Sequence, residues 1–274
     1  MTIATLRDVL QPALSGGYAI AGVVCLGWED SRAYVHAAQA ENLPIILQAG
    51  PGCRAHTPLP VLAAMFRSLA KDVDVPVVIH LDHSTDLDEC CEAIDSGFTS
   101  IMYDGSRLPL AENIENTGRA AELARSNGVS AEGEIGFVGY AEGEASARTD
   151  PKEAKKFCGE TGIDAVAVSV GNVHLQQDRD AEIDFDAVRA ISDVCETPLV
   201  LHGGSGIPHS VRQQLARETS VCKFNIGTEL RMAFGKGLRE VLANDKAVFD
   251  RVKILSSLEP SLMEATQPIL RGLT

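Results

Sequence analysis

Short aliphatic and β-branched runs alternate from end to end of this chain with longer stretches whose apolar residues recur at helical spacing. The runs predict strands at residues 18–25, 44–48, 77–80, 100–103, 129–134, 165–170, 199–202 and 222–226. Helical spacing marks 59–72, 87–95, 111–126, 151–160, 186–194 and 229–243. Val77-Val78-Ile79 and Leu199-Val200-Leu201 are apolar without interruption, as parallel strands covered on both faces should be. Eight such strands with helical segments between them predict a closed α/β barrel, the (β/α)8 TIM-barrel architecture. An open doubly wound sheet is the competing fold. Residues 139–150 carry Gly, Ser, Ala and charges without periodicity and read as a mobile surface loop. Past Asn244 the pattern predicts one or two extra C-terminal helices. No linker rich in Pro, Gly or Ser interrupts the chain, so residues 1–274 read as a single barrel domain.

The composition, 45% hydrophobic and 23% charged, is ordinary for a soluble protein and leaves this picture unchanged. The net charge of −14 adds an exclusion: nucleic acid and anionic membrane surfaces attract basic patches and are not expected partners. No apolar stretch approaches the roughly 18–20 residues of a membrane span. The first residues lack a basic segment followed by an apolar core, so a cytoplasmic location is expected. Seven cysteines, an odd number with no C-x-x-C pair, read as thiols in a reducing compartment.

Position is what suggests chemistry. Polar and ionisable residues gather where apolar runs end: Asp82-His83, Asp104, Glu134, Asn172 to His174, His202-Gly203-Gly204-Ser205 and Asn225-Ile226-Gly227-Thr228. In a (β/α)8 barrel those ends converge on one face, where active sites are built. A lone strand-end histidine is usually structural. His83, His174 and His202, after the third, sixth and seventh predicted strands, point instead at a common centre. Three neutral imidazoles with one open position suit a catalytic zinc ion. His36, His56 and His209 fall in helical or loop contexts, and His80, inside the third strand, reads as structural or supporting. Asp82 leaves the strand in a different direction from His83, so one can bind metal while the other faces substrate as acid or base. The alternative for Asp82 is a helix cap, for which Ser84, Thr85 and Asp86 compete. The glycines after the seventh and eighth strands let backbone N–H groups approach an anion, at the usual phosphate site of this fold, with Thr228 read as a helix cap.

Taken together, the motifs resemble those of the class II (zinc-dependent) ketose-phosphate aldolases, which include fructose-bisphosphate and tagatose-bisphosphate enzymes. The resemblance runs from the N-terminus to about Ala243. It is carried by Leu81-Asp82-His83, Met102-Tyr103-Asp104-Gly105-Ser106, Glu132-Gly133-Glu134-Ile135-Gly136, Leu201-His202-Gly203-Gly204-Ser205-Gly206 and Asn225-Ile226-Gly227-Thr228-Glu229-Leu230. It implies a lyase that reversibly cleaves a phosphorylated ketose to dihydroxyacetone phosphate and an aldehyde. By the same resemblance His83, His174 and His202 are ligands of a catalytic Zn2+, and Asp82 exchanges a proton with the C4 oxygen. Asp104 and Glu134 match a carboxylate pair that holds a second divalent metal in some members. Gly203, Ser205, Asn225, Gly227 and Thr228 match the dihydroxyacetone phosphate site, with Gly204 and Ile226 expected beside them and a monovalent cation near the phosphate. Glu142 matches the carboxylate that moves the proton at the nascent carbanion carbon. A homodimer or homotetramer is implied as well.

A Lewis-acid zinc stabilises the carbanion of aldol cleavage without a lysine Schiff base. Lys223 on the eighth strand is the Schiff-base competitor, which would leave the three histidines without a task. A metal-dependent isomerase, epimerase or hydrolase on the same barrel is the second reading, and a non-catalytic sugar-phosphate binder is the third. A binder needs neither Asp82 nor Glu142. Departures from the family pattern cluster away from the metal. Leu175 stands where the family has glycine, Val24-Cys25-Leu26-Gly27-Trp28 replaces an Asn-containing segment, and Gln48-Ala49-Gly50-Pro51-Gly52 lacks a usual serine. They point to a different aldehyde half.

Overall fold

In the computed structural model, which describes residues 2–141, 143 and 145–274, the apolar runs become parallel strands of one sheet. They are β1 (Ile3–Ala4), β2 (Ile20–Val24), β3 (Ile45–Ala49), β4 (Val77–Ser84), β5 (Ser100–Tyr103), β6 (Ser130–Ile135), β7 (Ala165–Val168), β8 (Leu199–Leu201) and β9 (Val221–Ile226). From β2 to β9 each strand pairs with the next in sequence, and β9 returns to β2 in a register running from Ile20↔Lys223 to Val23↔Ile226. The ring is therefore an eight-stranded closed parallel barrel, as the sequence predicts. β1 lies beside the start of β4, outside the ring.

Side chains alternate along each strand between the helical shell and the barrel interior. Outward residues such as Leu47, Ile79, Ile101, Val166, Leu201 and Phe224 are fully buried beneath the helices. Inward residues change character along the barrel axis. At the N-terminal end Ile20, Ile46, Val78 and Ala165 pack in one cluster with Leu6, Val9, Leu10 and Ala13 of helix Leu6–Gly16, which plugs that mouth. Midway lie Gln48, His80, Glu132 and Lys223, all fully buried. Asp82, Glu134 and Asn225, two residues beyond His80, Glu132 and Lys223, reach the C-terminal mouth.

Local signals set the helix limits. Asp150 accepts from the Lys152 and Glu153 amides ahead of helix Pro151–Thr161, and Gly162 ends that helix in the left-handed conformation. The two extra C-terminal helices are present as Arg251–Ser256 and Glu259–Arg271; around the second, Leu258 and Leu262 pack with Ala33 of helix Trp28–Glu41. Strand limits differ from expectation by no more than two residues except in β4, which continues past His80 to Ser84 and carries Asp82 and His83 within it. Among the described residues no helix is long and apolar enough to cross a membrane.

After β7 the chain doubles back at Gly171, whose φ is +107° and where a Cβ would lie 2.3 Å from the Glu182 carbonyl oxygen. The turn is pinned by Asn172, whose Oδ1 accepts from the Val170 amide (2.9 Å) and whose Nδ2 donates to the His202 carbonyl (3.0 Å). Gly171→Ala is expected to cost about 1–3 kcal/mol and lower Tm by roughly 2–10 °C. Gly159→Ala, on the exposed side of a helix with nothing near its Cβ position, should raise Tm slightly. Thermal melts of the two variants check the contrast.

Candidate active site

The site begins with an irregularity in β4. Its ladder with β5 pairs Leu81 with Ile101 and then Ser84 with Tyr103, skipping a step, and His83 takes a left-handed φ of 53°. Adjacent side chains of a regular strand face opposite ways. Here the turn lets both Asp82 and His83 border a cavity of about 410 Å³. Asp82 is not a helix cap: Asp86 caps helix Leu87–Ser96, accepting from the Asp88 amide at 2.9 Å.

His174 arrives from the loop after β7. Its amide donates to the Gly139 carbonyl (2.8 Å) and its carbonyl accepts from the Ala141 amide (3.0 Å), while its ring stacks on Tyr140 at 5.1 Å. The described residues of 139–150, expected as a mobile loop, are thus tethered on this flank. They are tethered also by Phe137↔Ala147 pairing and by the buried Thr149 hydroxyl on the Ile135 carbonyl (2.6 Å). Glu142, expected on this segment, lies outside the described residues. His202 follows directly on β8.

The three imidazoles meet, with ring centroids 4.5 Å apart for His83 and His202, 5.3 Å for His83 and His174, and 5.5 Å for His174 and His202. Their ligand atoms lie within 4.8 Å of one another, and so do those of a second set, His83, Asp104 and Glu134. Asp104 does more than open a turn: its Oδ2 stands 2.7 Å from His83 Nδ1, while its Oδ1 accepts from the Ser106 amide and hydroxyl. His202 Nε2 faces Glu132 Oε1 at 3.3 Å, and Glu132 Oε2 accepts from Lys223 Nζ at 2.7 Å. Two buried atoms, His202 Nδ1 and Glu134 Oε2, lie 3.4 Å apart and make no hydrogen bond among the described residues. A divalent cation would satisfy both, and nitrogen with carboxylate oxygen is a donor set that Zn2+ accepts. The residues therefore fit a metal ion.

Electrostatics agree with that fit. Burial and the neighbouring His83 charge push His174 down to about 4, so its imidazole is neutral and able to ligate. Burial and the nearby Asp104 carboxylate push Glu134 up to about 8. Burial opposes a charge on His83, but Asp82, Asp104 and Glu134 outweigh it and raise the ring to about 10. Without a metal, that proton supplies positive charge the carboxylates demand. Burial likewise opposes the Asp82 charge, yet His83 and the other nearby cationic groups hold its carboxyl below the ordinary value. Asp82 is thus an anion at neutral pH, and Asn225 Nδ2 donates to it at 3.3 Å.

Gly203, Ser205, Asn225, Gly227 and Thr228 line the same cavity as His83 and His174. Gly203 has a φ of +64°, and a Cβ there would strike the Val173 carbonyl oxygen at 2.1 Å. Ser205 Oγ accepts from the Gly227 and Glu229 amides, both at 3.2 Å, at the start of helix Thr228–Asn244. The expected cap, Thr228, is instead the first helical residue, and Gly227 precedes it. Gly204 and Ile226, expected at the substrate, are buried and are not among the residues lining the cavity, and Ile226 packs in the core under the helices. Strand alternation explains Ile226, since its neighbour Asn225 faces inward.

Leu175 also borders the cavity, half exposed, and holds a left-handed φ of 59°, the conformation suited to the glycine it replaces. Arg107 and Arg231 reach the rim; Arg239 does not line the cavity. Lys223 is fully buried below it, paired with Glu132, which argues against a Schiff base. Glu132 and Lys223 act as supports that no strand-end position marks in the sequence. Their signal is spacing: each precedes an inward-facing site residue by two on the same strand.

The family model "Fructose-bisphosphate aldolase class-II" matches residues 4–273. A fructose-bisphosphate aldolase from Staphylococcus epidermidis is 36% identical over 278 aligned residues, covering 99% of this chain and 97% of that protein. One from Geobacillus stearothermophilus is 37% identical, covering 93% and 91%. Among solved structures, the YdjI aldolase of Escherichia coli K12 superposes with a TM-score of 0.84 at 26% identity, covering 99% of this chain and 97% of that one.

Replacing His174 or His202 by Ala should cut the divalent metal retained by purified protein to below about a tenth of the wild-type content. Elemental analysis reads the loss, and an unchanged far-ultraviolet circular dichroism spectrum shows the barrel intact. Stoichiometric metal in both variants would exclude the three-imidazole site.

Proposed function

The chain belongs to the class-II fructose-bisphosphate aldolase family, and from that premise we propose how its residues carry the reversible cleavage of a ketose phosphate to dihydroxyacetone phosphate and an aldehyde. The observation that supports the assignment of roles is the convergence of three imidazoles, two of them bordering the cavity, beside an ionised aspartate and the Ser205 and Gly227 turn at a helix start.

In this reading His83, His174 and His202 hold Zn2+, and Asp104 and Glu134 offer a neighbouring site for a second divalent cation. A Zn2+ ion so bound supplies Lewis acidity at the substrate ketone. The Ser205 hydroxyl and the backbone around Gly203 and Gly227, at the positive end of helix Thr228–Asn244, receive the phosphate of the dihydroxyacetone half. Asp82 takes the proton of the C4 hydroxyl. The C3–C4 bond then breaks, the C4 carbonyl forms and the aldehyde departs, leaving its electron pair at C3, delocalised toward the C2 oxygen. Asn225 keeps Asp82 oriented by donating to its Oδ1. Glu142 remains the proposed donor of the proton returned to C3. In the synthetic direction each proton moves the opposite way.

Arg107 and Arg231 bring positive charge to the rim, which supports a second anionic group on the distal half of the substrate. The relatives' names, fructose-bisphosphate aldolase, favour the same reading. The exposed Phe249 and Val252 on the C-terminal segment support association into a homodimer or homotetramer of single-domain chains.

Wild-type protein incubated with dihydroxyacetone phosphate in heavy water should take up deuterium at the hydroxymethyl carbon, and a chelator should stop the uptake. No uptake in metal-replete protein would sink the aldolase reading. Asp82→Ala should keep its metal while cleavage falls by about 10²–10⁴; a parallel loss of metal would refute the separation of Asp82 from the ligands. Arg231→Ala should raise KM for a ketose bisphosphate roughly tenfold or more and leave deuterium exchange near wild type. Steady-state kinetics on mono- and bisphosphate substrates measures the difference.

A further inference from the structure

One side chain outside the donor set engages both Asp82 and His83, through their backbones. Arg54, in helix Pro51–His56, has a side chain only 8% exposed. Its Nη1 donates to the carbonyls of Ala49 (2.7 Å) and Asp82 (2.6 Å). Its Nη2 donates to the carbonyl of His83 (3.2 Å) and to Glu89 Oε2 (3.0 Å), and its Nε to Glu89 Oε1 (2.7 Å). A guanidinium has five N–H donors, and here each has an acceptor. Ser84 Oγ donates to Glu89 Oε2 at 2.6 Å, which fixes the carboxylate from the other side.

Consecutive carbonyls of an extended strand point to opposite sides. Those of Asp82 and His83 turn to a single guanidinium, which the left-handed φ of 53° at His83 permits. A residue with a Cβ keeps that conformation only where its surroundings over-determine it. The turn also takes the His83 carbonyl, which alternation would aim at β5, out of the β4–β5 ladder, whose pairing jumps from Leu81 to Ser84, and leaves it beside the Asp82 carbonyl. Buried without a partner they would be costly. An arginine that only joined β3 to β4 would need one carbonyl on each strand. The His83 carbonyl, and the bidentate carboxylate that aims the fork at it, go beyond that need.

We propose that Arg54 is a positioning residue: the Arg54–Glu89 fork holds the Asp82–His83 peptide in the conformation that sends both side chains into the cavity, and so couples proton transfer to metal binding. The inference rests on the roles proposed above for Asp82 and His83. A lysine carries the charge but not the planar fork, so it does not substitute.

Two readouts are independent of turnover: divalent-metal affinity by competition with a chromogenic chelator, and the visible spectrum of the Co2+-loaded protein. Arg54→Lys should weaken metal affinity roughly ten- to hundred-fold, shift the Co2+ bands, and slow deuterium exchange into dihydroxyacetone phosphate at saturating metal. In Arg54→Ala, millimolar guanidinium should restore part of the affinity and the exchange, whereas equal ammonium should not. Wild-type affinity and an unshifted spectrum in both variants overturn the inference, whatever happens to Tm, and so does equal rescue by ammonium. If neither variant folds, Glu89→Gln, which keeps the guanidinium but weakens its alignment, is read by the same criteria. If wild-type protein fails the exchange assay, the proposed reaction falls, while affinity and spectrum still decide the Arg54 claim.

Discussion

Lys223 and Glu132 meet 2.7 Å apart inside the barrel, where neither side chain reaches water, and the arrangement above them depends on that pair. Taking two charges out of water costs several kcal/mol each, roughly, and their attraction compensates only when further hydrogen bonds complete the geometry. Here the remaining Glu132 oxygen faces His202 Nε2. That contact selects which ring nitrogen carries the proton and leaves Nδ1 turned toward Glu134. His80, bonded to Ser100 at 2.8 Å and near Lys223 Nζ at 3.4 Å, fills the same layer as a structural group. Loss of either charged partner would strand the other, at a cost of about 3–5 kcal/mol. The lysine that competes as a Schiff base in the sequence is thus committed to holding a histidine in place.

Charge is arranged on two scales. The chain as a whole carries −14, which repels phosphorylated molecules at a distance, yet ionic screening confines that repulsion to about 10 Å or less. Within the cavity the balance differs. Backbone amides at the start of helix Thr228–Asn244, the rim arginines and the His83 ring face the space a phosphorylated ligand would occupy. The carboxylates Asp82, Asp104 and Glu134 crowd around His83 instead, an environment that favours a cation.

Much of this was readable from the chain. Strands repeat because parallel strands need apolar residues on both faces, and the histidines stood out because they follow such runs. What escaped the reading has physical causes. The β4 irregularity is a backbone event: His83 has no glycine beside it to announce a left-handed turn. Helix Leu6–Gly16 precedes the repeating pattern, so no alternation pointed to it as a plug. Glu132 and Lys223 lie two residues before site residues, but an ionisable residue within an apolar run looks exposed until the barrel closes around it. Arg54 acts through carbonyls, which carry no sequence signature. Gly204 and Ile226 belong to the two strand-end motifs expected at the phosphate, while strand alternation sends the Ile226 side chain into the core under the helices.

Leu175 combines two properties that pull against each other. Its backbone sits where glycine is most comfortable, while its side chain forms part of the cavity wall. Trimming it to glycine would relax the loop that carries His174 and at the same time widen the space beside the metal ligands. At this position a gain in robustness and a loss of discrimination would come from the same atoms. The chain has kept the less comfortable residue, and a selection for heat resistance alone would be expected to discard it.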